Sequence, residues 1–507
     1  MEKEFGKIRS LIWPIHNYEL KKLLPMCLMF FFISFNFTIL RDTKDTLIVT
    51  APNSGAETLA FLKVWGVLPC ALIFMLIYAK LSNKLNKRAL FNVTIIPFIV
   101  FFALFATVFY PARDFLHPNV FADNLQNMLP SGFMGFIAIF RNWTFSIFYI
   151  LAELWGSVVL SLLFWSFAND IMKISEAKRF YALLSLGANI ALLVSGPAII
   201  FASNIRKKLP EEVDAWGISL NYLMGMIVIS GILIVGIYNW MHKNVLTDPR
   251  FYDSSKIKNK KEKLKLSLKD SFLHITKSKY LVLIAAIVVC YNVAINIVEI
   301  SWKSQLKLQY PNPNDYSTFM GTFSFFMGIT AFLIIIFIGG NVVRKFGWGT
   351  AARLTPVVLF VTGMIFFSFI FFKDNLRGFI SMLGTSPLMF IVIAGAFQNI
   401  LTKSTKYTQF DPTKEMAYIP LDEESKVKGK AAIDVVGARF GKAGGSLMQQ
   451  GLIITFGSAI AATSLNSIIL FMIILIWIAA TFSLQKKFLE KTKEKEAKNI
   501  QTENITV

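Results

Sequence analysis

Apolar stretches long enough to cross a hydrocarbon core recur along this chain, and no other feature restricts its fold so severely. About twenty helical residues span a bilayer interior roughly 30 Å thick. Because lipid offers the backbone no hydrogen-bond partner, only helices and closed barrels can cross it. Twelve stretches read as helical spans: 24–48, 60–80, 91–110, 136–168, 181–203, 220–241, 280–302, 318–340, 349–372, 381–402, 430–457 and 459–484. With 55% hydrophobic and 16% charged residues over 507 positions, the composition lies outside the soluble range. The expected fold class is an all-α integral membrane protein with twelve transmembrane helices.

Charge placement orients the spans, because Lys and Arg in short loops stay on the cytoplasmic side. Segment 242–279 holds eleven Lys or Arg, among them Lys256, Lys258, Lys260, Lys261, Lys263 and Lys265, and loop 81–90 adds Lys84, Lys87 and Arg88. Loop 49–59 has none, and loop 111–135 has Arg113 beside Asp114 and Asp123. Both termini are therefore expected in the cytoplasm. Loop 204–218 departs from the rule with Arg206, Lys207 and Lys208, offset by Glu211, Glu212 and Asp214. Of the net charge of +21, segment 242–279 holds the largest loop share, eleven Lys or Arg against four Asp or Glu. The central basic run reads as a topology signal against anionic lipid. No aromatic residues are interleaved there for base stacking, so no nucleic-acid partner is expected.

Six spans, a charged linker and six more spans divide the chain. The expected parts are a cytoplasmic segment 1–22, a six-helix bundle 23–241, the linker 242–279, a second bundle 280–485 and a tail 486–507. Lys178-Arg179-Phe180 with Gly187-Ala188-Asn189 in the fifth span has a counterpart in Lys428-Gly429-Lys430 with Gly437-Ala438-Arg439 in the eleventh. Two such bundles related about the membrane normal make a major-facilitator-like architecture, with the substrate site between them near the midplane.

The first residues (Glu2, Lys3, Glu4, Lys7, Arg9) match neither a secretory signal nor an organelle leader, which points to a bacterial plasma membrane. Cys27, Cys70 and Cys290 lie in apolar stretches, and His16, His117, His242 and His274 are scattered. Neither set has ligand spacing, so no metal and no other cofactor is expected.

Ionisable groups inside the spans carry the functional reading, since each costs a few kcal/mol or more unless it meets a partner, a cavity or a substrate. Arg41-Asp42-Thr43-Lys44-Asp45 reads equally as a self-neutralised cap at the outer interface or as part of a cavity. Lys63 has no acid in its own segment after Glu57. Arg141 and Glu153 in the fourth span are about 18 Å apart along a continuous helix and cannot pair. Asn292, Asn296, Glu299 and Lys303 form a polar stripe on one face of the seventh span, where a local Glu299–Lys303 pair is the alternative to a cavity lining. The eleventh span carries Asp434, Arg439 and Lys442 ahead of Gly444-Gly445 and Gln449-Gln450. An Asp434–Arg439 lock would explain two of those charges but not Lys442. Its Gly437-to-Ala443 run is one residue short of a phosphate-cradling loop and follows no strand, so no nucleotide-hydrolysing domain is expected.

Five cations (Lys63, Arg141, Lys303, Arg439, Lys442) against three carboxylates (Glu153, Glu299, Asp434) suit a polyanion. Tyr149, Trp155 and the many Phe residues are candidates for stacking a base. The candidate substrate-binding set is Lys63, Arg141, Tyr149, Glu153, Asn292, Asn296, Glu299, Lys303, Arg439 and Lys442.

From about residue 5 to 485 the chain also resembles the non-mitochondrial ATP/ADP translocases of chlamydiae, rickettsiae and plastids, the chlamydial branch most of all. The resemblance is carried by Ile39-Leu40-Arg41-Asp42-Thr43-Lys44-Asp45-Thr46, Ala152-Glu153-Leu154-Trp155-Gly156-Ser157, Asn244-Val245-Leu246-Thr247-Asp248-Pro249-Arg250, and Thr413-Lys414-Glu415-Met416-Ala417-Tyr418-Ile419-Pro420-Leu421-Asp422. It implies import of ATP in exchange for ADP and a critical charged set that falls by motif on Lys63, Glu153, Glu299 and Lys442. One local departure is Ile300-Ser301, where relatives often read Val-Thr; the carboxylate is unaffected.

The expected partners are ATP and ADP as substrates and the lipid bilayer, with no obligate protein partner and a monomeric state. Rival readings are proton symport or exchange of another nucleotide (GTP, UTP, NAD), a nucleotide-binding membrane sensor, and, weakest, a membrane enzyme, which would need a hydrolase constellation that these residues do not make.

Overall fold

The computed structural model describes residues 15–172, 174–248, 251, 276, 278–337, 339–422, 425, 429–430, 433 and 437–505. The basic linker residues 252–275, with His274, and Asp434 lie outside the described residues, as does the side chain of Arg439.

Among the described residues the regular structure is helical throughout. Twelve long helices follow in order: α1 (Leu20–Thr50), α2 (Ala56–Lys84), α3 (Lys87–Phe109), α4 (Trp143–Ile171), α5 (Ile174–Ser203), α6 (Ala215–Asn244), α7 (Lys279–Gln309), α8 (Pro313–Phe337), α9 (Val342–Phe371), α10 (Pro387–Ala417), α11 (Ala438–Phe456) and α12 (Thr463–Ile505). Eleven of them hold a stretch long and apolar enough to cross a membrane; α11, with 19 residues, is the polar one. Helix starts are set by short polar side chains that take up orphan backbone N–H groups. Asn86 caps α3 by accepting from Ala89 N (2.8 Å), Asp214 caps α6 through Gly217 N (2.9 Å) and Ser386 caps α10 through Met389 N (3.1 Å). Gly347, at φ 80°, kinks the backbone between the expected eighth and ninth spans.

The expected fourth span, 136–168, is not one helix. A short helix, Met134–Arg141, ends at Asn142 (φ −107°, ψ 47°), and α4 starts anew at Trp143. The Asn142 amide donates to the Ala138 and Pro52 carbonyls (both 3.3 Å), which holds the break in place. Arg141 is therefore on a separate element from Glu153. Two other helices are longer than their apolar cores: α1 runs to Thr50 and α10 to Ala417, carrying charged residues that hydropathy places at or beyond the ends.

Packing repeats with an offset of six helices. In the first half α1 packs on α4, α5 and α6, and α3 on α6; in the second α7 packs on α10, α11 and α12, and α9 on α12. The halves meet through α5 against α8 and α2 against α11, pairs exchanged by the same offset. The α5–α8 crossing depends on missing side chains: a Cβ on Gly196 would stand 2.7 Å from the Gly321 carbonyl oxygen. Small residues permit such close approach in membranes. Where α1 passes into α2 and α7 into α8, the halves are tied further. Lys307 donates to the Ser54 carbonyl, the Gln450 amide to the Ala60 carbonyl (3.1 Å) and the Trp65 indole to Gln450 Oε1 (3.1 Å).

Candidate functional site

The innermost helices, α1 and α7, each bring charged residues to the seam between the halves. Asp45 on α1 and Lys303 on α7 meet at 2.8 Å, and both side chains are almost wholly buried. Lys44, one residue earlier, binds Asp45 at 2.8 Å and Glu153 of α4 at 3.0 Å, with its Nζ 4.1 Å above the Tyr149 ring. Glu299 lies one turn before Lys303 (3.8 Å) and takes Lys403 of α10 at 2.9 Å and Lys63 of α2 at 3.7 Å. Lys63 also donates to Asn296 Oδ1 (2.8 Å), whose amide donates to Ser446 of α11 (2.8 Å). One chain of ion pairs thus runs from Glu153 through Lys44, Asp45, Lys303 and Glu299 to Lys63 and Lys403, crossing the seam twice.

Local backbone geometry aims these groups. Lys63 sits in a π-helical turn, Leu62–Val67; another, Gly156–Phe164, follows Glu153, and a third, Lys406–Phe410, follows Lys403. Such turns re-aim side chains within an otherwise regular helix and recur at functional sites. On α11, Gly441 and Gly445 lie against α7, where a Cβ would come within 3.0 Å of Asn292 Cβ and 3.1 Å of Val293 Cα; Gly444 faces open space. Lys442 is exposed on that helix, makes no ion pair with any described residue, and acts on the Glu153 carboxylate through space.

The expected residues divide by position. Lys63, Tyr149, Glu153, Asn296, Glu299, Lys303 and Lys442 gather at the seam. Asn292 is beside them but spends its amide on the Val288 carbonyl of its own helix (2.8 Å). Arg141 is elsewhere: it pairs with Asp123 (2.6 Å) and Gln126 (3.2 Å) of a short surface helix, Asn119–Met128. Trp155 is fully buried, donates to the Ile33 carbonyl (3.2 Å) and packs on Phe98 and Phe102, so it is core and offers no face to a ligand. Tyr149, also buried, lies beneath Lys44.

Three members of the cluster were not in the expected set. Lys44 and Asp45 are buried at the seam, which excludes the interface-cap reading of 41–45 for these two. Lys403 falls one residue past the expected end of the tenth span. Its signal was present in Lys403-Ser404-Thr405-Lys406, polar residues that α10 carries on as helix. The described cluster holds Lys44, Lys63, Lys303, Lys403 and Lys442 against Asp45, Glu153 and Glu299, an excess of two positive charges when all are ionised. Glu153 is its most open carboxylate, at 32% side-chain exposure against 3% for Asp45. A separate groove of about 750 Å³ between α8 and α10, walled by Phe319, Phe326, Ile393 and Phe397, holds none of these charges.

Solved structures share the fold. A bacterial homologue of the iron transporter ferroportin in an inward-facing state aligns with a TM-score of 0.56 at 12% identity, covering 91% of this chain and 98% of that one. A D-xylose-proton symporter aligns at 0.55 with 13% identity, covering 92% and 97%. Sequence relatives are much nearer. ADP,ATP carrier protein 1 of Chlamydia trachomatis is 61% identical over 495 residues, 98% of this chain and 94% of that protein. The chloroplastic ADP,ATP carrier protein 1 of Arabidopsis thaliana is 49% identical (96% and 77%), and ADP,ATP carrier protein 1 of Rickettsia bellii is 43% identical (95% and 96%). A sequence model of the family described as TLC ATP/ADP transporter matches residues 1–488, and this multi-pass membrane chain belongs to that family.

Proposed function

We propose that the protein exchanges ATP for ADP across a bacterial plasma membrane by alternating access, with both termini cytoplasmic. The observation that carries this reading is the chain of lysines and carboxylates across the seam, with its surplus of positive charge. A nucleotide brings phosphate oxygens that compete with Asp45, Glu153 and Glu299 for the same ammonium groups. The proposed phosphate ligands are Lys44, Lys63, Lys303, Lys403 and Lys442, with Asn296 orienting Lys63.

In the empty carrier the carboxylates hold the two halves together, and parting them would strand charges in a poorly hydrated interior at a cost of several kcal/mol. Substrate phosphates satisfy the lysines and let the halves move. Reorientation then requires a passenger in both directions, which is exchange. With the termini inside, the end closed by Lys307, Gln450 and Trp65 is the outer one, and the cluster is reached from the cytoplasm.

Uptake of labelled ATP into ADP-loaded proteoliposomes, challenged with unlabelled nucleotides and with a protonophore, tests the reading. ATP and ADP are expected to compete and the protonophore to leave uptake unchanged. Uptake that collapses with the protonophore, or that GTP, UTP or NAD suppresses better than ADP, contradicts it.

A further inference from the structure

Phosphate-binding lysines do not by themselves hold a base, and the two aromatic residues first considered for that role are buried in the core or beneath Lys44. A third is placed differently. Tyr407 projects from the π-helical turn Lys406–Phe410 of α10 with 57% of its surface exposed. The same turn sends Phe410 inward, where it stacks on Tyr291 of α7 at 5.1 Å and anchors the segment.

Tyr407 lies one turn after Lys403 of α10, whose side chain reaches Glu299 of α7 at 2.9 Å. The Tyr407 hydroxyl is within electrostatic reach of the Arg41 guanidinium on α1. Arg41 in turn is fixed by Asp42 at 3.0 Å and by Ser324 of α8 at 2.7 Å. One face of the ring is covered by Lys406, whose Nζ lies 4.3 Å from the centroid and is tied to Asp411 at 2.8 Å. Lys403 precedes Tyr407 by four residues, about 6 Å along a helix axis, a separation suited to a ligand with phosphates at one end and a planar ring at the other.

We infer that Tyr407 is the platform on which the nucleobase stacks, while Lys403 and its neighbours hold the phosphates. The inference rests on the nucleotide-exchange reading and adds a specificity-determining residue to it. Base–aromatic stacking is sensitive to loss of the ring and tolerant of loss of the hydroxyl. Arg41 and Lys406, flat guanidinium and compact ammonium, border the platform and favour an electron-rich ring.

Calorimetric titration of the purified full chain with ATP and, separately, with inorganic tripolyphosphate tests it. Tyr407→Leu is expected to weaken ATP binding about tenfold and leave tripolyphosphate binding unchanged, while Tyr407→Phe binds both within about twofold of wild type. Should the leucine variant fail to fold, Tyr407→Trp decides: the inference expects ATP affinity equal to or above wild type. ATP binding unchanged in Tyr407→Leu, an equal loss for both ligands in a folded variant, or a tryptophan variant about tenfold weaker for ATP overturns it. Wild-type chain that binds tripolyphosphate and not ATP instead sinks the nucleotide reading itself, and this inference with it.

Discussion

Asp45 of α1 and Lys303 of α7 form a 2.8 Å ion pair across the seam between the two halves, with side chains 3% and 5% exposed. Each is also held by a second partner, Asp45 by Lys44 and Lys303 by Glu299. The pair ties α1 to α7 directly and links the Lys44–Glu153 pair to Glu299.

Removing one member should therefore be worse than exchanging both. Asp45→Asn leaves two buried ammonium groups short of a counter-charge, a loss on the order of 3–5 kcal/mol for a buried pair. Exchange activity is expected to fall at least about tenfold with a lower melting temperature. Asp45→Lys combined with Lys303→Asp should recover part of both. A double swap no better than either single change would show that the pair has no role as a tie.

Lys63→Gln and Lys442→Gln are each expected to cut uptake at least about tenfold while the protein still inserts. Their stabilities should differ. Lys63 holds Glu299 and Asn296, so its loss lowers the melting temperature; Lys442 makes no ion pair with a described residue, so its loss leaves it within about a degree or two. Wild-type uptake in both variants would assign these lysines to snorkelling or packing.

Lys403 binds Glu299 more closely than Lys63 does, 2.9 Å against 3.7 Å. Lys403→Gln should thus reduce uptake by at least the factor seen for Lys63→Gln, about tenfold. Transport at the wild-type rate would remove Lys403 from the site.

Arg141, paired with Asp123 and Gln126 on a surface helix, should behave oppositely. Arg141→Ala is expected to keep uptake within about twofold of wild type and to lower thermal stability, since the buried Arg141 side chain loses its packing and its ties to Asp123 and Gln126. A variant that is stable but inactive would return Arg141 to the substrate path.

The membrane helices and much of the candidate cluster are legible in the sequence, because hydropathy and intramembrane charge are both strong one-dimensional signals. Lys63, Glu153, Glu299 and Lys303 needed only their position within apolar spans. The misses have physical causes. Arg41-Asp42-Thr43-Lys44-Asp45 is locally neutral, and neutrality hides whether the partners are neighbours in sequence or, as for Lys44 with Glu153 and Asp45 with Lys303, on other helices. Lys403 escapes hydropathy because the apolar window ends where polar residues begin, although α10 remains helical to Ala417. Arg141 belongs to the same span as Glu153 only if that helix is continuous, and the non-helical Asn142 breaks it. Trp155 illustrates a further limit: aromatic content does not reveal which ring faces a cavity and which faces the core.

Counter-exchange tests the central claim most directly. Proteoliposomes of the wild-type chain, loaded with ADP or left empty, are given labelled ATP outside. The account predicts saturable uptake in the loaded vesicles, matched by ADP release, and about one tenth of that rate or less in empty ones. Equal uptake with and without internal ADP would show that the empty carrier reorients freely, and would contradict the role given to the carboxylate–lysine chain at the seam.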